Sequence, residues 1–158
     1  MTDPSNALRS FQEELWRGTI EVQPGALNPN IFFHFDHLTG RFSYVTLENN
    51  TVTAFVTFAP WQRIEGMHCF NIGYAVPEAY RKQGRAKEVL RMAIAELQHG
   101  LGRGRISTFY VEAIIGADNK PSQRVAEQLL SAAPVEMTDE VSGLPALQYI
   151  RKIEGPVS

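Results

Sequence analysis

The sequence predicts an α/β fold: a mixed, mainly antiparallel central sheet with helices packed against it. Three observations carry that expectation. Val52, Ala54, Val56 and Phe58 alternate with Thr53, Phe55 and Thr57, the period of two of a strand. Ala86, Val89, Leu90, Ala93, Ile94 and Leu97 recur at helical spacing and form one apolar stripe. The order of elements between residues 69 and 115 is strand, helix, strand, the unit that joins two parallel strands by a right-handed crossover.

The elements follow in order. A first helix is expected over residues 6–16, where Leu8, Phe11, Leu15 and Trp16 share a face and Gly18 supplies the stop. Residues 22–30 contain Pro24, Gly25 and Pro29 and read as a loop. Residues 42–47 and 51–58 read as an antiparallel hairpin turning at Asn49-Asn50. Residues 69–76 form another strand, with Phe70, Ile72, Tyr74 and Val76 on one face and Asn71, Gly73 and Ala75 on the other. Pro77 ends it, because proline has no N–H for the ladder. The apolar helix then runs to a stop at Gly100, Gly102 and Gly104. Residues 106–115 are apolar on both faces, as a central strand requires. A second helix covers about 121–132, with Pro121 in its first turn and Asn119 or Lys120 near its cap. After a Gly143/Pro145 turn a last strand spans about 147–153.

Composition narrows the class of function. A chain of 158 residues, 44% hydrophobic and 20% charged, suits one domain, taken as residues 1–158, with a core that needs neither disulfides nor metal. The net charge of −2 gives no general attraction to nucleic acid. Cys69 is the sole cysteine, so no internal disulfide can form. Met1-Thr2-Asp3-Pro4-Ser5 has no basic run followed by an apolar one, no stretch approaches the ~20 apolar residues of a membrane span, and Gly155-Pro156-Val157-Ser158 has no terminal cysteine. The expectation is a cytoplasmic protein with no membrane partner.

The chemistry concentrates where the 69–76 strand hands over to the long helix. Arg81-x-x-Gly84-x-Ala86 lies at that junction, with Lys82, Arg85 and Lys87 adding positive charge. A helix N-terminus presents unpaired N–H groups and the positive end of the dipole, and small residues let a phosphate approach the backbone. The implied ligand is a phosphate or pyrophosphate. Neither a Gly-x-x-x-x-Gly-Lys-Ser/Thr loop nor a Gly-x-Gly-x-x-Gly turn is present, which argues against P-loop and dinucleotide sites. The basic run from 81 to 91 is also a weak nucleic-acid footprint: acids outnumber bases 17 to 15, and no aromatic but Tyr80 joins it. Alone, the six-residue pattern fits a solvated basic turn capping a core helix better. The preceding apolar strand, Val76-Pro77 exit and following amphipathic helix set it in context.

In that context residues 74–97 resemble the acetyl-CoA motif of the GNAT superfamily of N-acetyltransferases, whose core is Arg/Gln-x-x-Gly-x-Gly/Ala. Val111-Glu112-Ala113, followed by Asn119-x-x-Ser122 and Arg124-Val125-Ala126-Glu127, resembles the branch that acetylates protein N-termini. The likeness covers about residues 42–130. It implies acetyl-CoA as co-substrate, direct transfer in a ternary complex, and a primary amine as acceptor on a small molecule, a peptide or a protein N-terminus. A homodimer is implied by analogy only. Position by position, it implies that Arg81, Gln83, Gly84, Arg85, Ala86 and Lys87 form the pyrophosphate cradle. Ala75 and Val76 would pair with the pantetheine arm and polarise the thioester carbonyl. Asn119 would hydrogen-bond the arm, with Ser122 beside it.

The proton chemistry is less marked. The amine must lose a proton, and Glu112 is the first candidate base, with an ordinary surface or ion-paired glutamate as the competing reading. Ser122 is the candidate donor to the leaving thiolate, or simply a first-turn helix hydroxyl. The tyrosine that many relatives carry seven residues after the asparagine is replaced by Ala126, and the family's Gly-Phe after this helix is missing. Tyr74, Tyr80, Tyr110 and Tyr149 are further candidate acids that also suit packing. These departures leave a non-catalytic acyl-CoA-binding module of the same fold as the rival reading. No metal is expected, because His34-Phe35-Asp36-His37 has no partner cluster and reads as a polar loop or strand end. Cys69 is expected to be buried and inert, facing away from His68.

Overall fold

A computed structural model describes residues 3–155. Residues 1–2 and 156–158, parts of the two ends read above for targeting signals, lie outside the described residues. Helix α1 (Pro4–Arg17) leads into β1 (Gln23–Pro24), β2 (Phe32–Asp36), β3 (Arg41–Glu48), β4 (Thr51–Ile64) and β5 (Met67–Ala75). A 3-10 turn at Glu78–Tyr80 precedes α2 (Arg85–Arg103), then β6 (Thr108–Gly116), α3 (Lys120–Leu129), β7 (Val135–Thr138) and β8 (Pro145–Glu154). The eight strands form one sheet in the order β1-β2-β3-β4-β5-β6-β8-β7. Every neighbouring pair is antiparallel except β5 and β6, the parallel pair that α2 connects.

Two cores sandwich the sheet. On one side α2 and α3 cover Val56, Phe58, Phe70, Ile72, Phe109 and Val111. On the other, Leu8, Phe11 and Leu15 of α1 cover Val45, Val52 and Phe55. Burying one such side chain stabilises the fold by about 1.5–3 kcal/mol, so the apolar stripes outweigh weak local preferences. Asp3 starts α1, its side chain accepting from the Ser5 N–H at 2.9 Å, and Gly18 ends it in the left-handed region at φ 74°. Gln12 then ties α1 to the sheet: its amide donates to the Asn50 carbonyl and accepts from the Val52 N–H.

Several elements differ from the sequence reading. Val52 and Ala54 face opposite sides of the sheet, although their spacing predicts the same side. Leu47 pairs with Val52 and Thr46 with Ala54, so Thr53 is an extra residue in the ladder, a bulge that reverses the alternation. Helix α2 continues through Gly100 and Gly102 and stops only at Gly104. Leu101 packs on the core, and that contact outweighs the cost of two helical glycines. Helix α3 ends at Leu129 rather than 132, with the buried Leu130 as its C-cap, its N–H donating to the Ala126 carbonyl. Short strands form at 23–24, 32–36 and 135–138 within segments that carry little strand signal of their own; pairing with a longer neighbour supplies their order.

Candidate functional site

The parallel ladder between β5 and β6 is short. Cys69, Phe70 and Asn71 pair with Tyr110, Val111 and Glu112, and there it stops. Both strands run on, β5 to Ala75 and β6 to Gly116, each still paired to its outer neighbour. The edges at 72–75 and 113–116 therefore face each other without ladder bonds. The result is a wedge in the middle of the sheet whose walls are unpaired backbone. An extended chain with amide groups can add to such an edge.

Both strands feed helices at the wide end of the wedge. After β5, Pro77 and the 3-10 turn lead to Gly84, which caps α2 in the left-handed region at φ 72° with no side-chain hydrogen bond to the first turn. Only glycine adopts this conformation at little cost, which explains Gly84 at that position. The N–H groups of the first turn of α2, at Arg85, Ala86 and Lys87, are thus left for an anion. At α3 the cap is filled: the Asn119 side chain accepts from the Ser122 N–H at 3.3 Å.

The basic residues around α2 divide into two kinds. Arg81 turns back, its Nε donating to the Val76 carbonyl at 2.9 Å. Arg85 donates to the Gln83 side chain at 3.1 Å, lies 3.4 Å from the Glu48 carboxylate, and stacks 4.9 Å from the Tyr80 ring. These two brace the loop. Lys82 and Lys87 are exposed and make no salt bridge among the described residues.

Glu112 stands at the apex of the wedge, where the ladder stops. It is 5% exposed, and its Oε2 accepts from the Gln148 side chain at 3.1 Å. It shares a sheet face with Asn71, its direct partner on β5. That is the α1 face, since Phe70 and Val111 on either side belong to the α2/α3 core. Ser122 sits on the opposite face, where its backbone carbonyl accepts the Tyr74 hydroxyl. Glu112 and Ser122 therefore approach the wedge from opposite sides of the sheet.

The four tyrosines differ sharply. Tyr74 is committed to Ser122, and burial pushes its hydroxyl well above the ordinary range. Tyr110 donates to Glu65 at 2.9 Å, away from the wedge, and that bond raises it. Tyr80 stacks on Arg85. Tyr149 is fully buried in the α2/α3 core, and its hydroxyl has no partner among the described residues; burial raises it too. Ala126, where relatives carry a tyrosine, is fully buried in the same core. Cys69 is buried, and desolvation, helped by the charge of Glu112, pushes its thiol up to about 11, so it remains an unreactive thiol at neutral pH.

The His34–His37 segment ends β2 in a turn, with Asp36 accepting from the Leu38 N–H and the Thr39 hydroxyl. No group of three metal-ligating side chains comes together among the described residues. Among the described residues no helix is long and apolar enough to cross a membrane.

Three residues of this region escaped the sequence reading as site residues. Asn71, Thr57 and Arg41 share the α1 face beside Glu112 and line one small cavity there. Asn71 is the one polar side chain in the apolar 69–76 run, a signal that stood in plain view. Arg41 and Thr57 gave none, since their approach depends on strand pairing.

The model of the acetyltransferase (GNAT) family matches residues 8–130 of the chain. No curated protein matches it. Solved structures that share the fold include the following three. The ribosomal-protein-S5-alanine acetyltransferase of Vibrio fischeri is 15% identical, with a TM-score of 0.57, over 72% of this chain and 62% of that one. The chain thus spans less than two thirds of that protein. The yncA protein of Salmonella typhimurium, solved with acetyl-CoA, is 20% identical at a TM-score of 0.55, over 77% and 69%. An acetyltransferase of Streptococcus pneumoniae is 12% identical at a TM-score of 0.57, over 96% of both chains.

Proposed function

The chain belongs to the GNAT acetyltransferase family, and from that premise we propose that it is an acetyl-CoA-dependent N-acetyltransferase acting on a primary amine by direct attack in a ternary complex. The observation that carries the proposal is the convergence of the β5/β6 wedge with the uncapped N-terminus of α2. A thioester on a pantetheine arm needs an extended amide-lined slot, and its pyrophosphate needs unpaired N–H groups at the slot's mouth. Backbone amides from Gln83 to Lys87 receive the pyrophosphate, with Arg81 and Arg85 holding the loop. The exposed backbone of Ala75 and Val76 pairs with the arm, and an amide there steadies charge on the thioester oxygen. The side-chain amide of Asn119 remains available to the arm, because its cap bond uses only the carbonyl oxygen.

Glu112 removes the amine's proton, directly or through a water. Its place at the apex of the wedge brings it to where the acetyl group ends. The leaving thiolate needs little assistance, since a thiol has a pKa of about 8.5. Ser122 is the remaining candidate donor, and it serves the wedge from the α3 side. Holding amine and thioester together supplies much of the acceleration by itself. Protein N-termini, peptides and small amines all satisfy this chemistry.

Calorimetric titration with acetyl-CoA, on the wild type and on Gly84→Glu, tests the reading. The substitution places a negative side chain among the N–H groups of α2. The wild type binds, and the variant, still folded, binds at least about 100-fold more weakly. Absence of wild-type binding sinks the proposal. Ala126 favours one alternative, a non-catalytic acyl-CoA-binding module: the position of the family's tyrosine is closed inside the core. Binding without CoA release across a broad amine panel decides for that module.

A further inference from the structure

A small cavity opens between the start of α1 and the sheet, lined by Pro4, Ala7, Arg41, Thr57, Asn71 and Gly73 among others. Its volume is about 30 Å³, room for roughly two water-sized groups. Among the described residues four buried side-chain polar atoms lack a hydrogen-bond partner, and three of them line this cavity: Arg41 Nε, Thr57 Oγ1 and Asn71 Nδ2. Asn71 and Thr57 are 6% and 8% exposed. Buried donors without partners are uncommon in folded proteins, and three around one space call for an occupant. Two of these atoms can only donate and the third can do either, so the occupant must be rich in acceptors.

The register supplies the rest. Ala59 pairs with Asn71, and Asn71 with Glu112. Phe42 pairs with Phe58, which sets Arg41 alongside Ala59. Arg41, Ala59, Asn71 and Glu112 therefore form one row across four strands, about 14 Å long at a strand spacing of ~4.8 Å. The small Ala59 leaves the guanidinium a path toward Asn71. Arg41 makes no salt bridge among the described residues, and neither does Glu112. One end of the row thus carries an unpaired positive charge and the other a carboxylate.

We propose that this row recognises the acceptor as a short amino-carboxylate, such as a free amino acid: its carboxylate enters the cavity against Arg41, Asn71 and Thr57, and its amine points to Glu112. The inference rests on the acetyltransferase reading above and narrows its substrate class. A guanidinium beside an amide and a hydroxyl matches a carboxylate in charge and in the number of donors. Arg41 lines the cavity beside Asn71, and Asn71 and Glu112 are direct partners on adjacent strands, so the amine and carboxylate must be a few bonds apart. The N–H groups at the start of α1 contribute nothing here, because Asp3 already engages them.

The test compares free amino acids with their carboxamides and with short peptides, following CoA release at saturating acetyl-CoA. The expected result is a kcat/KM at least about 10-fold higher for the free carboxylates, expressed in KM, and loss of that preference in Arg41→Met. Retained acetyl-CoA binding shows that the variant is folded. A second measurement is independent of turnover: amino acids raise the Tm of the acetyl-CoA or CoA complex, their carboxamides do not, and Asn71→Asp abolishes the shift. Carboxamides or peptides that serve equally well, or a preference that survives Arg41→Met, overturn the proposal and leave a cavity that holds water or a peptide carbonyl. Failure to bind acetyl-CoA would instead sink the parent reading.

Discussion

Replacing Glu112 with glutamine separates its chemical role from its structural one. Glu112 is 5% exposed, and its one side-chain hydrogen bond is accepted from Gln148 at 3.1 Å. A glutamine in its place keeps an oxygen for that bond and removes a buried carboxylate that forms no salt bridge among the described residues. Removing such a charge costs little or stabilises, so the stability change should lie within about 1 kcal/mol. A general base contributes about 10²- to 10⁴-fold, so kcat/KM should fall by that factor. The pH profile carries the sharper test. Without a carboxylate to take the proton, the variant should turn over only amine that is already neutral, so its rate should rise with pH as the acceptor amine itself deprotonates, near ~8 for the α-amino group of a peptide. The assay is CoA release against pH, with thermal unfolding run in parallel. A fall below about 3-fold with an unchanged profile would refute the assignment. A stability loss above about 3 kcal/mol would make Glu112 a structural residue.

Further outcomes follow from single contacts. Gln12→Ala strands the buried Val52 N–H, which the Gln12 side chain accepts at 2.6 Å. The expected cost is about 1–3 kcal/mol, a Tm lower by roughly 3–10 °C, and an unchanged Tm would mean that water replaces the side chain. Cys69, with its thiol pushed up to about 11, should react with iodoacetamide at pH 8 at least about 100-fold more slowly than a free thiol. Below the ordinary thiol range both folded and unfolded chains hold the proton, and between about 9 and 11 the unfolded chain loses it first. Stability should therefore decline over that interval, and Cys69→Ala should remove that part of the decline. Equal alkaline profiles for the two proteins would refute the burial of this thiol.

Most elements of the fold are legible in the chain because their apolar periodicity is strong. The stripe from Ala86 to Leu97 becomes the buried face of α2, and Phe70, Ile72 and Tyr74 become the buried face of β5. The weaker elements are another matter. The 135–138 segment is mostly exposed and is a strand only because β8 runs beside it. Val52 follows its alternation until the Thr53 bulge, which belongs to the pairing with β3 and not to either strand alone.

The turn proposed to bind phosphate is equally local. Gly84, the neighbouring bases and the start of α2 lie within a few residues, so spacing alone exposes them, and the family resemblance rests on that segment. The acceptor side is assembled differently. Arg41, Ala59, Asn71 and Glu112 come from four strands, and up to 41 positions of sequence separate neighbours in the row. Sequence determined the periodic elements, the helix terminus proposed as the anion site, and the family. Tertiary structure alone decided where the β5/β6 ladder stops, which side of the sheet Glu112 faces, and which buried donors surround one cavity. Periodicity is a property of neighbouring residues, whereas a cleft and its charges depend on register between strands, which no single segment encodes.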